Sequence, residues 1–77
     1  MNLNEYVTSD LLEATILRFF AHRLEFVDKS DRRARFCFVR KENTEEILEG
    51  YRERVLVVEP YAFFQCLKEV KDRLYND

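Results

Sequence analysis

The sequence predicts a small α+β domain: an antiparallel sheet of three or four strands packed by helices, in the order β-α-β-β-α-(β)-α. Short segments rich in β-favouring residues alternate with longer segments whose apolar residues recur at helical spacing. The chain has 77 residues with one glycine and one proline, which leaves little room for flexible linkers. A chain of this length buries only about 60% of its unfolded surface. Residues 1–77 are therefore expected to form a single compact domain.

The first strand is expected at residues 3–7 (LNEYV), and a helix follows it. Asp10 with Glu13 three residues later fits a capping box, which predicts the start of this helix. A basic pair, His22 and Arg23, is expected to end it at its negative pole, with His22 in solvent. One helical face carries Leu12, Ile16, Phe19 and Phe20, and the apolar surface is widened by Leu11, Ala14, Leu17 and Ala21.

A β-hairpin is expected next. A strand at Leu24–Asp28 is followed by the turn-rich DKSD and by a second strand at residues 33–40. The second helix begins at Asn43, which has Glu46 at capping-box spacing, and Gly50 weakens its last turn by about 1 kcal/mol.

Residues 55–58 (VLVV) favour a short strand, and an extended connector is the alternative. Pro60 fits the first position of a third helix, where its missing N–H is not needed. The apolar residues of that helix, at spacings of four, three and four, are Phe63, Leu67, Val70 and Leu74.

The stretch RRARFCFVRK, residues 32–41, is similar to the aromatic strand of RNA-recognition domains, whose aromatic rings face solvent and stack on bases. That orientation would bury Arg35 and Lys41 without partners, which is costly. The opposite orientation buries two phenylalanines, each worth about 1.5–3 kcal/mol. We therefore expect a core-facing set made of Ala34, Phe36 and Phe38.

The same orientation predicts a sheet face that is partly apolar and partly basic. An apolar centre with a charged rim is typical of a protein interface. The occupant would be a protein partner or, in a homodimer, a second copy of the chain. The alternative is that the third helix covers this face with Phe63 and Leu67. The candidate partner-binding residues are Val27, Arg33, Arg35, Cys37, Val39 and Lys41.

Charge is distributed unevenly along the chain. Residues 18–41 hold eight lysines or arginines against three acids, whereas residues 42–77 hold five against nine. Such asymmetry can orient a partner electrostatically, or it can simply let opposite surfaces of one domain attract each other. A nucleic-acid-binding domain that uses the basic hairpin is the alternative function, with phosphate contacts from Arg32, Arg33, Arg35, Arg40 and Lys41.

The residue types needed for catalysis are sparse. His22 is the single histidine, Cys37 and Cys66 are isolated, and Gly50 alone cannot form a phosphate-binding loop. We therefore expect no enzymatic activity, no metal and no cofactor. The start MNLNEYV lacks the features of a secretory signal, so we expect a cytoplasmic protein with reduced thiols.

Several motifs together resemble a family of short bacterial and phage-encoded domains of unknown function. They are the start YVTSDLL, the hairpin end RRARFCFV, Tyr51 in the second helix, and the closing VVEPYAFFQCLKEVKDRL. The resemblance spans nearly the whole chain and implies a small stand-alone protein associated with mobile elements or their hosts. The family has no assigned activity, so no functional residue follows from it. The leading hypothesis is a non-catalytic interaction domain, such as a mobile-element accessory or inhibitor protein, that binds another protein.

Overall fold

A computed structural model describes residues 4–76, and it confirms the predicted α+β class. Leu3, the first residue of the expected first strand, lies outside the described residues. Across residues 4–76 the order is β-α-β-β-α-α, with three strands and three helices. These elements are β1 (Glu5–Thr8), α1 (Leu11–Phe19), β2 (Leu24–Asp28), β3 (Arg35–Val39), α2 (Thr44–Arg52) and α3 (Pro60–Asn76).

The sheet has the order β1-β3-β2, and β3 is antiparallel to both of its neighbours. The expected β2–β3 hairpin is therefore confirmed. Because β1 and β2 flank the same antiparallel strand, they run in the same direction and are connected through α1. This is the split β-α-β arrangement, in which a third strand is inserted between the two parallel ones.

The core lies between one face of this sheet and the helices. Phe36 and Phe38 are buried in it, so the predicted inward orientation of the two rings is confirmed. Ala34 is half-buried and packs against the same core. Each helix contributes a fully buried side chain: Leu17 from α1, Leu48 from α2 and Val70 from α3.

The start of α1 follows the sequence prediction only in part. Asp10 is the N-cap, and its Oδ1 accepts the N–H groups of Leu12 at 2.9 Å and Glu13 at 3.3 Å. The Glu13 carboxylate, however, accepts a 2.5 Å hydrogen bond from the Tyr6 hydroxyl. The Asp10 N–H donates instead to Thr8 Oγ1 at 3.1 Å. A β1 side chain has thus replaced the reciprocal half of the capping box.

The end of α1 is a Schellman turn that passes through Ala21. The His22 N–H donates to Leu17 O at 2.9 Å and the Ala21 N–H donates to Arg18 O at 3.1 Å. Ala21 has a φ of 64°, in the left-handed region that glycine tolerates best. Ala21 is therefore outside the helix and exposed, contrary to the expected apolar face. Leu12 is also exposed, on the first turn of α1, although it was expected on the apolar face of that helix.

The connection between α2 and α3 is an extended connector and not a strand. Residues 55–58 lie outside the sheet, so the four-strand version of the fold is not formed within the described residues. Pro60 begins α3, as expected. The preceding Glu59 caps that helix, because its carboxylate accepts the N–H groups of Tyr61 at 3.0 Å and Ala62 at 2.7 Å. These two hydrogen bonds lower the pKa of Glu59.

Candidate functional site

The face of the sheet that points away from the helices carries an apolar patch. In the strand register, Cys37 of β3 lies between Val7 of β1 and Phe26 of β2. Val7 is 44% exposed and Phe26 is 49% exposed, whereas Cys37 between them is only 5% exposed. Val39, half-buried, continues the central strand. We call Val7, Phe26, Cys37 and Val39 the outer face.

The predicted place of Val27 on this face is wrong. Val27 pairs with Phe36 and belongs to the core. The cause is a register irregularity in β2 between Leu24 and Phe26, which leaves Glu25 as an extra residue. Leu24 and Val27 consequently both face the helices, and Phe26 takes the outward position that strict alternation would have given to Val27.

The alternative in which α3 covers the outer face is also wrong. Phe63, one of the two expected covering residues, packs against the core on the helix side of the sheet. Its ring lies 6.3 Å from that of Phe19 on α1. An ion pair between Arg18 and Glu69, at 2.8 Å, joins the same two helices. The outer face therefore has no helix of the described chain over it.

The charged candidates lie at the two ends of β3 and do not form one cluster. Arg33 is exposed in the β2–β3 connection, and Lys41 is exposed after the strand. Arg35 pairs with Asp31 at 2.6 Å. Glu5 pairs with Val39 in the register, at the opposite end of the sheet from Arg35. The outer face thus has Glu5 at one end, and at the other end Arg35, which pairs with Asp31 and lies opposite Asp28 in the β2–β3 register.

The remaining nucleic-acid candidates follow the same division. Arg32 is exposed beside Arg33, near one end of β3. Arg40, at the other end, forms an ion pair with Glu45 and lies 5.3 Å from the centre of the Tyr6 ring. The β3 strand between the two groups spans roughly 13 Å. Arg35 and Arg40 are thus already engaged by carboxylates.

His22 is fully buried, so the expectation that it lies in solvent is wrong. Its Nε2 is 2.7 Å from Thr44 Oγ1, and its Nδ1 is 3.2 Å from Phe20 O. Thr44 Oγ1 also accepts the Lys41 N–H at 2.8 Å. These contacts fit a neutral ring whose Nδ1–H donates to the carbonyl and whose Nε2 accepts from the hydroxyl. Burial lowers the pKa of His22.

This pair also explains the start of α2. The Asn43 side chain makes no capping hydrogen bond, contrary to the predicted capping box with Glu46. Thr44, the first helical residue, instead connects α2 to the end of α1 through His22. The single imidazole thus has a structural role, with both ring nitrogens engaged inside the domain.

Two other titratable side chains of the sheet, Cys37 and Tyr6, have raised pKa values. Burial raises the pKa of the Cys37 thiol, which makes the reactive thiolate scarcer at neutral pH. Burial and the hydrogen bond to Glu13 raise the pKa of Tyr6 to about 12. Both cysteines, Cys37 and Cys66, are free.

Residues 4–76 contain neither a metal-binding cluster nor a membrane-spanning helix. Within that range, histidine, cysteine, aspartate and glutamate form no cluster of three or more side chains able to hold a metal ion. The helices in the same range are too short or too polar to span a lipid bilayer.

Two residues of the outer face, Val7 and Phe26, were missed at the sequence level. Val7 carries a usable signal, because strict alternation along β1 places it opposite to Tyr6, which packs on the core. Phe26 carries none, because the irregularity at Glu25 reverses the alternation of β2 without a glycine or proline to mark it.

Comparison of the chain with protein families, with curated proteins and with solved structures finds no match.

Proposed function

We propose that this protein is a non-catalytic interaction domain that binds a protein partner through the outer face. The observation that supports it is the half-exposed pair Val7 and Phe26 on either side of Cys37, on a sheet face without a helix over it. A half-exposed aromatic side chain in an apolar patch is the kind of anchor that dominates binding energy at interfaces. Phe26 has that role.

The dimensions and charges of the face suggest what the partner presents. Two strand spacings of about 4.8 Å separate β1 from β2, which matches the roughly 10 Å width of one α-helix. The partner is therefore an amphipathic helix that lies along β3 with its apolar side on Cys37 and Phe26. A basic side chain near Glu5 would complement that end, whereas Arg35 at the other end already pairs with Asp31.

The test compares Phe26→Lys with a matched control, Tyr75→Lys, an exposed aromatic of α3. Proteins retained by the wild type are purified without reference to either variant, and their affinity for the three forms is measured by calorimetry. We expect Phe26→Lys to weaken binding at least about tenfold, since an interface anchor commonly contributes 2 kcal/mol or more. Tyr75→Lys should bind like the wild type. Equal binding by Phe26→Lys would refute the proposal.

Nucleic-acid binding is the second candidate, favoured by the exposed pair Arg32 and Arg33 in the β2–β3 connection. It is supported less well, because two of the five candidate basic residues are in ion pairs and the rest are divided between the ends of β3. Anisotropy with duplex DNA and single-stranded RNA at low salt tests it. Phosphate binding would weaken on duplex DNA with a log–log salt slope of about −0.9 per neutralised phosphate. A complex that Arg33→Glu abolishes and Phe26→Lys does not would favour this candidate.

A further inference from the structure

Residues 55–58 (VLVV) have the form of a β-strand that lacks a neighbour. Val55 is 68% exposed and Val57 is 88% exposed, while Leu56 and Val58 between and after them pack against the core. This alternation has the two-residue period of a strand. The segment contains no turn or bend, and none of its residues has a positive φ. We call it the connector segment.

The connector segment is held in place on its inner side. Leu56 lies directly against Gly50 of α2, so close that a Cβ on Gly50 would be 2.9 Å from Leu56 Cδ2. The helix-weakening glycine seen in the sequence is therefore the site where this leucine packs. Because Leu56 and Val58 are both anchored, the backbone between them is fixed in its extended form.

One edge of this backbone is free. In an extended chain the N–H and C=O groups of successive residues point to opposite edges. The Val55 N–H donates to Gly50 O at 3.1 Å, which turns the edge shared by Val55 and Val57 toward α2. On the other edge, Leu56 and Val58 form no hydrogen bond to another backbone group within residues 4–76. Such an unpaired edge is a template for strand addition.

We propose that two copies of this chain join along the free edges of their connector segments, as an antiparallel two-stranded pair. The Leu56 N–H would donate to the C=O of the partner's Val58, and the Val58 N–H to the C=O of the partner's Leu56. The two-fold axis repeats both bonds and places Val57 opposite the partner's Val57. This register uses only backbone groups of the free edge, and it keeps every outward valine on one side of the pair.

A second copy is the occupant because the segment is complementary to itself. Arg54 precedes it and Glu59 follows it. Antiparallel pairing brings the arginine end of each copy beside the glutamate end of the other. Parallel pairing would bring like charges together, which is unfavourable between neighbouring strands. The charges and the hydrogen-bonding groups thus select the same two-fold arrangement.

The dimer is expected to be weak. Stable interfaces bury about 800 Å² on each partner, and a pairing of four residues covers only part of that area. We expect a dissociation constant on the order of 10⁻⁴ M, which corresponds to about 5–6 kcal/mol of binding free energy. This pairing is on the helix connection and does not involve Val7 or Phe26, so it is independent of the proposed partner site.

Cysteine cross-linking tests the register directly. Val57 and the partner's Val57 form a non-hydrogen-bonded pair, whose Cα atoms are about 4.5 Å apart, within the range of a disulfide. Val57→Cys should therefore form a covalent dimer under mild oxidation. The matched control is Val55→Cys, because that residue and its counterpart would be about 13 Å apart. The wild type gives the background from Cys37 and Cys66.

Sedimentation equilibrium tests the dimer without a cross-link. The wild type should dimerise reversibly at high concentration, and Val57→Lys should raise the dissociation constant at least about tenfold, because it places two ammonium groups face to face. Phe26→Lys should leave the constant unchanged, whatever its effect on partner binding. A wild type that is monomeric at 1 mM (about ten times the expected constant), equal cross-linking of Val55→Cys and Val57→Cys, or a dimer lost only in Phe26→Lys would each overturn the proposal.

Discussion

The two faces of the sheet place the same kind of side chain in opposite situations. Phe38, on the inner face of β3, is completely buried, whereas Phe26, on the outer face of the adjacent β2, is half exposed. Both are phenylalanines of one hairpin, and the hydrophobic effect acts on them alike. The difference is made by the helices, which all lie on one side. Position relative to the helices therefore decides which phenylalanine stabilises the fold and which stays half exposed.

Truncating the inner ring should have the largest effect on stability. Phe38→Ala is expected to lower the free energy of unfolding by about 3–5 kcal/mol, through lost burial and the cavity left behind. A domain of this size has only a few kcal/mol more than that to lose. The midpoint of urea denaturation, compared with that of Phe26→Ala, measures the contrast. Similar losses for the two variants would mean that the two faces are equally covered.

His22 is a polar group buried on the helix side of the sheet, and its burial makes the free energy of unfolding depend on pH. Burial lowers its folded pKa, so between that value and the unfolded value of about 6.5 only the unfolded chain takes up the proton. Stability should be complete above pH 6.5 and should decrease as the pH falls below it, by at most about 1.4 kcal/mol per pH unit.

Urea denaturation at several pH values between 5 and 7.5 measures this dependence. The control is His22→Gln, which cannot titrate and should show a flatter dependence in the same window. Because the substitution also disturbs the bonds to Thr44 and Phe20, its stability should be lower throughout by about 1–3 kcal/mol. A wild type whose stability is constant from pH 7 to pH 5 would contradict the neutral, buried imidazole.

A smaller change in stability is expected from a substitution at Ala21, in the turn between α1 and β2. Ala21→Gly should stabilise the domain by about 0.5–1 kcal/mol, because glycine occupies the left-handed region at φ 64° without a clash of the Cβ. The melting temperature should rise by about 2–8 °C for a domain of this length. Arg54→Gly is a parallel case, since Arg54 has a φ of 61° after α2. No change in melting temperature for either variant would show that these turns are unstrained.

The smallest effect on stability is expected on the outer face itself. Phe26→Lys should change the free energy of unfolding by less than about 0.5–1 kcal/mol, because the lysine stem can still cover Cys37 while its charge stays in water. Circular dichroism during thermal unfolding measures it. A large loss would assign Phe26 a structural role and would remove the simplest reason for its exposure.

The inner face could be predicted from the sequence because residues of β3 and the stretch before it alternate regularly between charged and apolar. In RRARFCFV, arginines alternate with apolar residues, so only one orientation keeps the charges in water. The position of β2 relative to the core could not be predicted in the same way. The extra residue Glu25 shifts its phase by one, and this bulge depends on how β2 fits against β3 and not on a local signal.

The environments of His22 and of residues 55–58 could not be predicted from the sequence either, because both depend on tertiary contacts. His22 is next to a helix end and an arginine, which favours solvent, but Thr44 supplies a buried hydrogen-bonding partner from 22 residues further along. Residues 55–58 have strand composition, yet a strand requires a neighbouring strand, and the backbone acceptor of the Val55 N–H, Gly50 O, belongs to a helix. Composition describes what a segment favours, and only the fold supplies the partner.

The guanidinium of Arg73, near the end of α3, donates to the carbonyl oxygens of Leu24 at 3.0 Å and Glu25 at 3.2 Å. Those oxygens are at the start of β2, which is an edge strand of the sheet. Fibrillar aggregation grows when an incoming chain finds a row of such acceptors unoccupied. Because Arg73 occupies two of these carbonyl oxygens, the β2 edge is a less favourable site for the addition of another chain. Arg73→Ala should therefore aggregate sooner than the wild type on prolonged incubation.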